Sequence, residues 1–148
     1  MSTLKDILSI FTSFQPGPRL IDGGELLQLA NLEFSVATGI TALAGGGQAG
    51  ATQLSAALNR VDTCATNSDS VMLPQAIPGR KVRVYNNTAN TLAVFGLAYN
   101  PVTGVGDTIA AIANNTQQAT ATGVTQATAV QTDYSCYVTG QWKQGPLT

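Results

Sequence analysis

The stretch that decides the fold is MLPQAIPGRKVRVYNNTANTLAVFG, residues 72–96. Pro78 and Gly79 stand at the two central positions of a type II turn, because proline fixes φ at the first and glycine accepts the positive φ of the second. In the RKVRVY segment, residues 80–85, valines alternate with basic or aromatic residues, which is the period of a strand with one buried face. A polar NNTAN turn and an apolar TLAVF segment follow. The stretch therefore predicts a β-hairpin with one buried face and one basic, solvated face.

Short strands are predicted on both sides of this stretch. From about residue 36, β-branched runs alternate with turns rich in glycine, asparagine and serine, which predicts strands near residues 36–44, 54–64 and 70–73. After a turn-rich loop, the segments from residue 115 onward predict a β-meander. Strands at such regular spacing are typical of a sandwich or a barrel. We therefore predict a mainly β domain over residues 36–148, built as an antiparallel β-sandwich or jelly roll.

Residues 1–35 have a helical pattern instead. Their first stretch carries apolar residues on one helical face, and QPGPR, residues 15–19, ends it because its prolines cannot continue a helix. A second short helix is predicted within residues 22–34. Two short helices cannot build a core, so this N-terminal arm either packs on its own domain or contacts a partner. We predict a partner contact through the apolar face, which consists of Leu4, Ile7, Leu8, Phe11 and Phe14.

The composition restricts the function. Charged residues make up 10% of the chain, against roughly 25% in an ordinary soluble domain. A nearly neutral polar surface suits a protein that is packed against neighbours. The net charge of −1 shows no basic domain, so no nucleic-acid partner is expected. Neither a transmembrane run nor a signal peptide is recognised, so no membrane partner is expected either.

The residue types present argue against catalysis. The chain has no histidine, which removes the usual general base, the common nucleophile–histidine arrangements and most zinc sites. Cys64 and Cys136 lack metal-ligand spacing, and we predict two small buried side chains; a disulfide would need the fold to bring them together. Asp107 and Asp133 could act as an acid–base pair only if they were close, and nothing in the sequence brings them together. We predict no enzyme activity and no cofactor.

Three motifs match the patterns of binding or modification sites, but a structural explanation is favoured for each. Gly45, Gly47 and Gly50 match the G-x-G-x-x-G pattern, but no alternating helices follow, so a flexible connection is the better interpretation. Two Asn-x-Thr sequons, at residues 86–88 and 114–116, are interpreted as turns. The basic residues of the predicted hairpin could hold phosphates, but a solvated face or an ion-pairing protein contact is favoured; they are Arg80, Lys81 and Arg83.

A wider set of segments resembles a known family. The segments are GGELLQLAN at residues 23–31, the stretch at residues 72–96, GDTIAAIANN at residues 106–115 and GQW at residues 140–142. Together they resemble small virion structural proteins of tailed bacteriophages. The matching positions are Leu73-Pro74, Pro78-Gly79, Val82 to Val84, Asn86 to Asn90, Val94-Phe95, Gly106 to Ile109 and Trp142. The chain departs from the family pattern by the longer link GLAYNPVTGVGD, residues 96–107, and by its N-terminal helix.

The resemblance implies a capsid cement or decoration protein that bridges major capsid subunits. It implies a β-sandwich or jelly roll, a homo-oligomer (dimer or trimer), and a location on the capsid exterior after assembly in the cytoplasm of a host bacterium. The alternative is a fibre, or a receptor- or glycan-binding module of a phage particle. The exposed aromatic residues expected to serve that alternative are Tyr85, Tyr99 and Tyr134.

Overall fold

The computed structural model describes residues 35–113 and 115–147. The chain divides into two units, Met1–Glu33 and Phe34–Thr148, and all the described residues belong to the second. The predicted arm, with its face of Leu4, Ile7, Leu8, Phe11 and Phe14, lies outside the described residues.

The described part of the chain is mainly β, as predicted, and contains no helix. Its ten strands are Val36–Thr41 (β1), Thr52–Gln53 (β2), Leu58–Thr63 (β3), Asp69–Met72 (β4), Lys81–Asn86 (β5), Leu92–Phe95 (β6), Thr108–Ala110 (β7), Val124–Gln126 (β8), Gln131–Val138 (β9) and Gln141–Leu147 (β10). They form a six-stranded sheet of order β1-β3-β5-β9-β10-β7 and a four-stranded sheet of order β2-β4-β6-β8.

The prediction of antiparallel sheets was wrong, because both sheets are mixed. From β1 to β6, consecutive strands alternate between the two sheets, so the chain re-enters each sheet in the same direction. The pairs β1/β3, β3/β5, β2/β4, β4/β6 and β7/β10 are parallel. Only β5/β9, β9/β10 and β6/β8 are antiparallel within the described residues.

The predicted hairpin in residues 80–95 was also wrong, since β5 and β6 lie in different sheets. Each strand does have the predicted buried face: Val82 and Val84 of β5, and Leu92 and Val94 of β6, are buried. Alternation of apolar and polar residues indicates which face of a strand is buried. It does not indicate which other strand pairs with it, because the same face is buried in either case. The pattern therefore predicted the strands correctly and their partners incorrectly.

Local features of the quoted stretch were predicted correctly. Gly79 has φ of +89°, and the Arg80 N–H donates to the Ile77 carbonyl at 3.0 Å, which closes the turn at Pro78-Gly79.

At the C-terminal side, β9 and β10 form an antiparallel hairpin. The strand predicted over residues 115–123 is not present; those residues form turns around a single bridge between Ala110 and Gln117.

One core cluster draws side chains from both sheets. The largest fully buried members are Trp142 of β10 and Tyr134 of β9. The amide of Gln126, in the four-stranded sheet, donates to the Val84 carbonyl at 2.8 Å in the other sheet, and it accepts from the Tyr134 hydroxyl at 3.3 Å. A satisfied buried amide of this kind fixes how the two sheets meet. Cys64 and Cys136 are both buried and unbridged, and burial raises the pKa of each thiol.

Candidate interaction surfaces

Three segments converge at one end of the described domain: the loops at residues 75–80 and 97–107, and residues 137–140, which include the last two residues of β9. The Ala76 N–H donates to Asp107 Oδ2 at 2.7 Å, and the Gly140 N–H donates to the Ala76 carbonyl at 3.1 Å. The Thr108 N–H in turn donates to the Gly140 carbonyl at 2.9 Å. We call these three segments the apolar end.

Two buried polar side chains organise the apolar end. Asp107 is 1% exposed and Asn100 is fully buried. The Asn100 amide donates to Asp107 Oδ1 at 2.7 Å, and its oxygen accepts from Gln75 Nε2 at 2.8 Å and from the Val102 N–H at 3.0 Å. The backbone of Asn100 bonds to Val105 and Gly104 as well. Each side chain is satisfied on all the atoms that need a partner, so the loop has a fixed conformation.

The apolar end displays apolar side chains from its loops and from the last two residues of β9. The described residues include nine exposed large hydrophobic side chains, and six of them belong to the apolar end. From Gly96 to Gly106 the sequence has no charged residue. A concentration of exposed apolar surface on one region marks an interaction site. The six are Ile77 (41% exposed), Tyr99 (62%), Val102 (71%), Val105 (58%), Tyr137 (72%) and Val138 (54%).

The predicted basic interface of Arg80, Lys81 and Arg83 is partly used within the chain itself. Arg80 Nη1 donates to the Gln75 carbonyl at 2.8 Å. Arg83 forms a two-bond ion pair with Asp133, with its Nη2 2.8 Å from Oδ2, and this pair holds the pKa of Asp133 below its usual range. The expected ion-pairing contact therefore exists for Arg83, and its partner belongs to the same chain. An interface role for the three residues stays a prediction.

The remaining candidates have local roles. Gly45, Gly47 and Gly50 all have positive φ in a turn, and no helix follows them among the described residues. Asn86 of the first sequon is fully buried and donates to the carbonyls of Asn90 and Ala127, so it is not accessible for glycosylation. Asp107 and Asp133 each have their own partners, and the structure shows no contact between them.

The prediction that three aromatic residues are exposed for a fibre or glycan-binding role is wrong for one of them. Tyr134 is fully buried, and burial raises the pKa of its hydroxyl, so it is not an exposed aromatic. Tyr99 is exposed and Tyr85 is half-buried. The sequence analysis missed Tyr137, which is the most exposed large hydrophobic side chain of the described residues. Alternation within β9 could have found it, since Tyr134 and Cys136 occupy the inward positions.

A groove runs along the outward face of β9 and β10. It has a volume of about 560 Å³, and a smaller hollow of about 140 Å³ adjoins it through shared residues. Its floor includes Asp133, Ser135, Tyr137 and Lys143, and the loop after β7 supplies a wall. This volume is in the range of small-molecule sites.

The chain matches no protein-family model, no curated protein and no solved structure. Within residues 35–113 and 115–147, no histidine, cysteine, aspartate and glutamate side chains cluster in a way that could hold a metal ion. The same residues include no helix with the length and hydropathy needed to cross a bilayer.

Proposed function

We propose that the chain is a capsid cement or decoration protein of a tailed bacteriophage, a structural component that binds the major capsid protein on the exterior of the head. We propose no catalytic role and no cofactor. The observation that carries the proposal is the apolar end, because a fully bonded loop that displays Tyr99, Val102 and Val105 is built for contact with another protein. The sequence resemblance to phage virion proteins supports the choice of partner.

The fold supports a structural role. Two sheets that contribute to one core are consistent with a β-sandwich, and a jelly roll is a finer form of the same proposal. The stability of such a scaffold comes from its own core, so its loops are available for contact. The homo-oligomer, a dimer or a trimer, and the arm contact through Leu4, Ile7, Leu8, Phe11 and Phe14 belong to this proposal too.

The energetics of the apolar end fit a clamp between shell subunits. Complete burial of one valine or isoleucine side chain contributes about 1.5–3 kcal/mol. Because the hydrogen bonds of Asn100 already order the loop, little entropy is lost when a partner covers it. Three or four such side chains would therefore anchor each copy, and many copies on a shell would add up to a measurable gain in its heat resistance.

The test is a decoration assay with particles that lack this protein. The variant Val102→Asp/Val105→Asp places two charges on the apolar end, and the matched control Ala89→Asp/Thr128→Asp places two charges in exposed loops elsewhere. We expect the control to bind and the variant to lose binding by about 100-fold or more, as two lost apolar anchors predict. Equal binding of both would remove the apolar end from the contact.

A second assay tests the arm. A chain that lacks residues 1–15 is expected to fold, as judged by cooperative unfolding, and to bind particles poorly. If this truncated chain decorates particles as well as the full chain, the arm is not an anchor. If it fails to fold, the arm completes its own domain.

A fibre or receptor-binding module is the second candidate, and the exposure of Tyr99 and Tyr137 favours it. Copy number separates the two candidates. A cement protein covers the shell and is present in large numbers, whereas a fibre is present in few copies. Quantitative gel densitometry of purified particles gives the ratio of this chain to the major capsid protein.

A further inference from the structure

A row of polar residues crosses three adjacent strands at the groove: Ser135 and Lys143 line the groove, and Lys81 of the neighbouring strand β5 lies beside it. Lys81 of β5 and Lys143 of β10 are both paired with Ser135 of β9, one on each side. Residues that pair across neighbouring strands project from the same face of a sheet. Neighbouring strands lie roughly 4.8 Å apart, so two lysines flank one serine on the outward face. Both lysines are exposed and Ser135 is half-buried.

The next row along the sheet also crosses β5, β9 and β10. Arg83 of β5 is paired with Asp133 of β9, and their side chains form the ion pair described above. On the other side of Asp133 stands Gly145 of β10, where a Cβ would lie 3.0 Å from the Asp133 carbonyl oxygen. The missing side chain leaves the floor open beside the carboxylate, and the ion pair holds that carboxylate in one orientation.

A wall and an aromatic ring complete the groove. Ile112 and Asn115 line it from the loop after β7, and the Ile112 N–H donates to Gln144 Oε1 at 3.0 Å, which ties the loop to β10. Tyr137 lies two residues beyond Ser135 on the same strand and is 72% exposed. The site therefore presents an aromatic surface, a hydroxyl and an amide within one concave volume.

The groove and the β5 residues beside it together carry an excess of positive charge. Asp133 and Lys143 line the groove, Lys81 and Arg83 stand next to it, and Arg83 already neutralises the carboxylate of Asp133. Among the described residues, neither Lys81 nor Lys143 has an ion-pair partner. The chain as a whole carries a net charge of −1, so this part of the sheet is a local exception. Lys81 also lowers the pKa of Asp133, but Arg83 already pairs with that carboxylate, so the charges of Lys81 and Lys143 are in excess and attract an anionic group.

We propose that this groove binds a saccharide that carries a carboxylate or phosphate group. The lysines would bind the anionic group, while Ser135, Asn115 and Asp133 would bond to hydroxyls. The negative face of the Tyr137 ring would attract the weakly positive C–H groups of the sugar ring. A groove of about 560 Å³ fits one or two sugar rings better than an extended polymer or a flat protein surface. Tyr137 belongs to both surfaces, but the decoration test changes Val102 and Val105 and the saccharide test changes Lys81 and Lys143, so either proposal can fail without the other.

The experiment is an NMR titration of the full chain with three anionic sugars and their neutral counterparts. The anionic probes are the trimer of galacturonic acid, N-acetylneuraminyl-lactose and glucose 6-phosphate; the neutral ones are maltotriose, lactose and glucose. At least one anionic probe is expected to shift the backbone amides of residues 133–137 and 141–145, with a smaller effect from its neutral counterpart. Lys81→Gln and Lys143→Gln should each weaken binding by about tenfold, and Tyr137→Ala by a similar factor. Arg60→Gln, which removes an exposed cation from β3, is the matched control and should leave binding unchanged.

Several outcomes would overturn the proposal. Absence of shifts with all three anionic sugars at millimolar concentration is one, and equal binding by the lysine variants is another. Equal shifts with inorganic phosphate or acetate alone would show an anion site without sugar recognition. Tighter binding of a thymidine oligonucleotide or of a glutamate peptide would assign the groove to nucleic acid or to an acidic protein instead.

Discussion

The loops at the two ends of the described domain are held by the same kinds of buried hydrogen bond, but one end exposes apolar side chains and the other exposes polar ones. Opposite the apolar end, residues 64–69, 86–91 and 127–130 form a polar end, where β9 begins and β5 finishes. Here Asp69 accepts from the Thr66 hydroxyl at 2.7 Å, the Thr66 N–H at 3.0 Å and the Gly45 N–H at 3.2 Å. The buried Asn86 amide holds the carbonyls of Asn90 and Ala127. A buried aspartate and a buried asparagine thus organise the loops at both ends.

The difference lies in what the loops expose. None of the exposed large hydrophobic side chains of the described residues belongs to the polar end, and six belong to the apolar end. A fixed loop conformation therefore does not require exposed apolar residues, because the loops of the polar end are held by hydrogen bonds and expose threonine, asparagine and alanine instead. Exposed valine and tyrosine on equally ordered loops are best explained by contact with another molecule.

The largest loss in the free energy of unfolding is expected from Asp107→Ala. The substitution removes two bonds to a carboxylate and leaves the Ala76 N–H and the Asn100 amide buried without a partner. We expect the free energy of unfolding to fall by about 3 kcal/mol, measured by urea denaturation. Asp107→Asn keeps the size and one acceptor, so it should be less damaging. A loss below about 1 kcal/mol for the alanine variant would show that the network does not organise this end.

A matched pair of asparagine variants compares the two ends directly. Asn100→Ala and Asn86→Ala each remove a fully buried amide, and each should cost about 2 kcal/mol. Hydrogen exchange should distinguish them: the first variant accelerates exchange at Val102 and Gly104, and the second at Thr88 and Asn90. If either variant accelerates exchange at both ends, the ends are coupled through the core.

Acidification is expected to weaken the polar end. The hydroxyl and N–H of Thr66, with the N–H of Gly45, hold the pKa of Asp69 below its usual range. A lowered folded-state pKa means that the stabilisation is fully present above the ordinary pKa of about 3.9 and is lost as the pH falls through the folded-state value. Unfolding measured across this acidic range should show a smaller pH dependence in Asp69→Asn than in the parent chain. An unchanged slope would show that Asp69 does not contribute.

The smallest effect on stability is expected from Val102→Asp alone. Val102 is 71% exposed, so the free energy of unfolding should change by no more than about 0.5 kcal/mol. Thermal unfolding beside Thr128→Asp at the polar end provides the control. A large loss for Val102→Asp only would mean that this valine packs on its own domain, and the contrast between the two ends would then have no functional meaning.

The sequence predicted features that depend on neighbours along the chain. The turn at Pro78-Gly79 and the burial of Val82 and Val84 follow from local sterics and alternation. The sheet to which each strand belongs depends on pairing between distant residues, which alternation does not record. Asp107 is similar: its partner Ala76 is 31 positions away, so nothing in the local sequence marks it as the centre of a network. The groove depends on the alignment of β5, β9 and β10, and Lys143 therefore had no visible link to Lys81.

The alternation of strands between two sheets has a consequence for how the chain folds. In the first half of the domain no strand pairs with the next one, and the partners Val36 and Leu58, or Leu58 and Arg83, are separated by more than twenty positions. Each such pairing must close a long loop before any hydrogen bond forms, which slows folding. The hairpin of β9 and β10 is local, and β5 docks directly against it. We therefore expect the C-terminal hairpin to form early and the parallel strands to be added afterwards, with the edge strand β1 last.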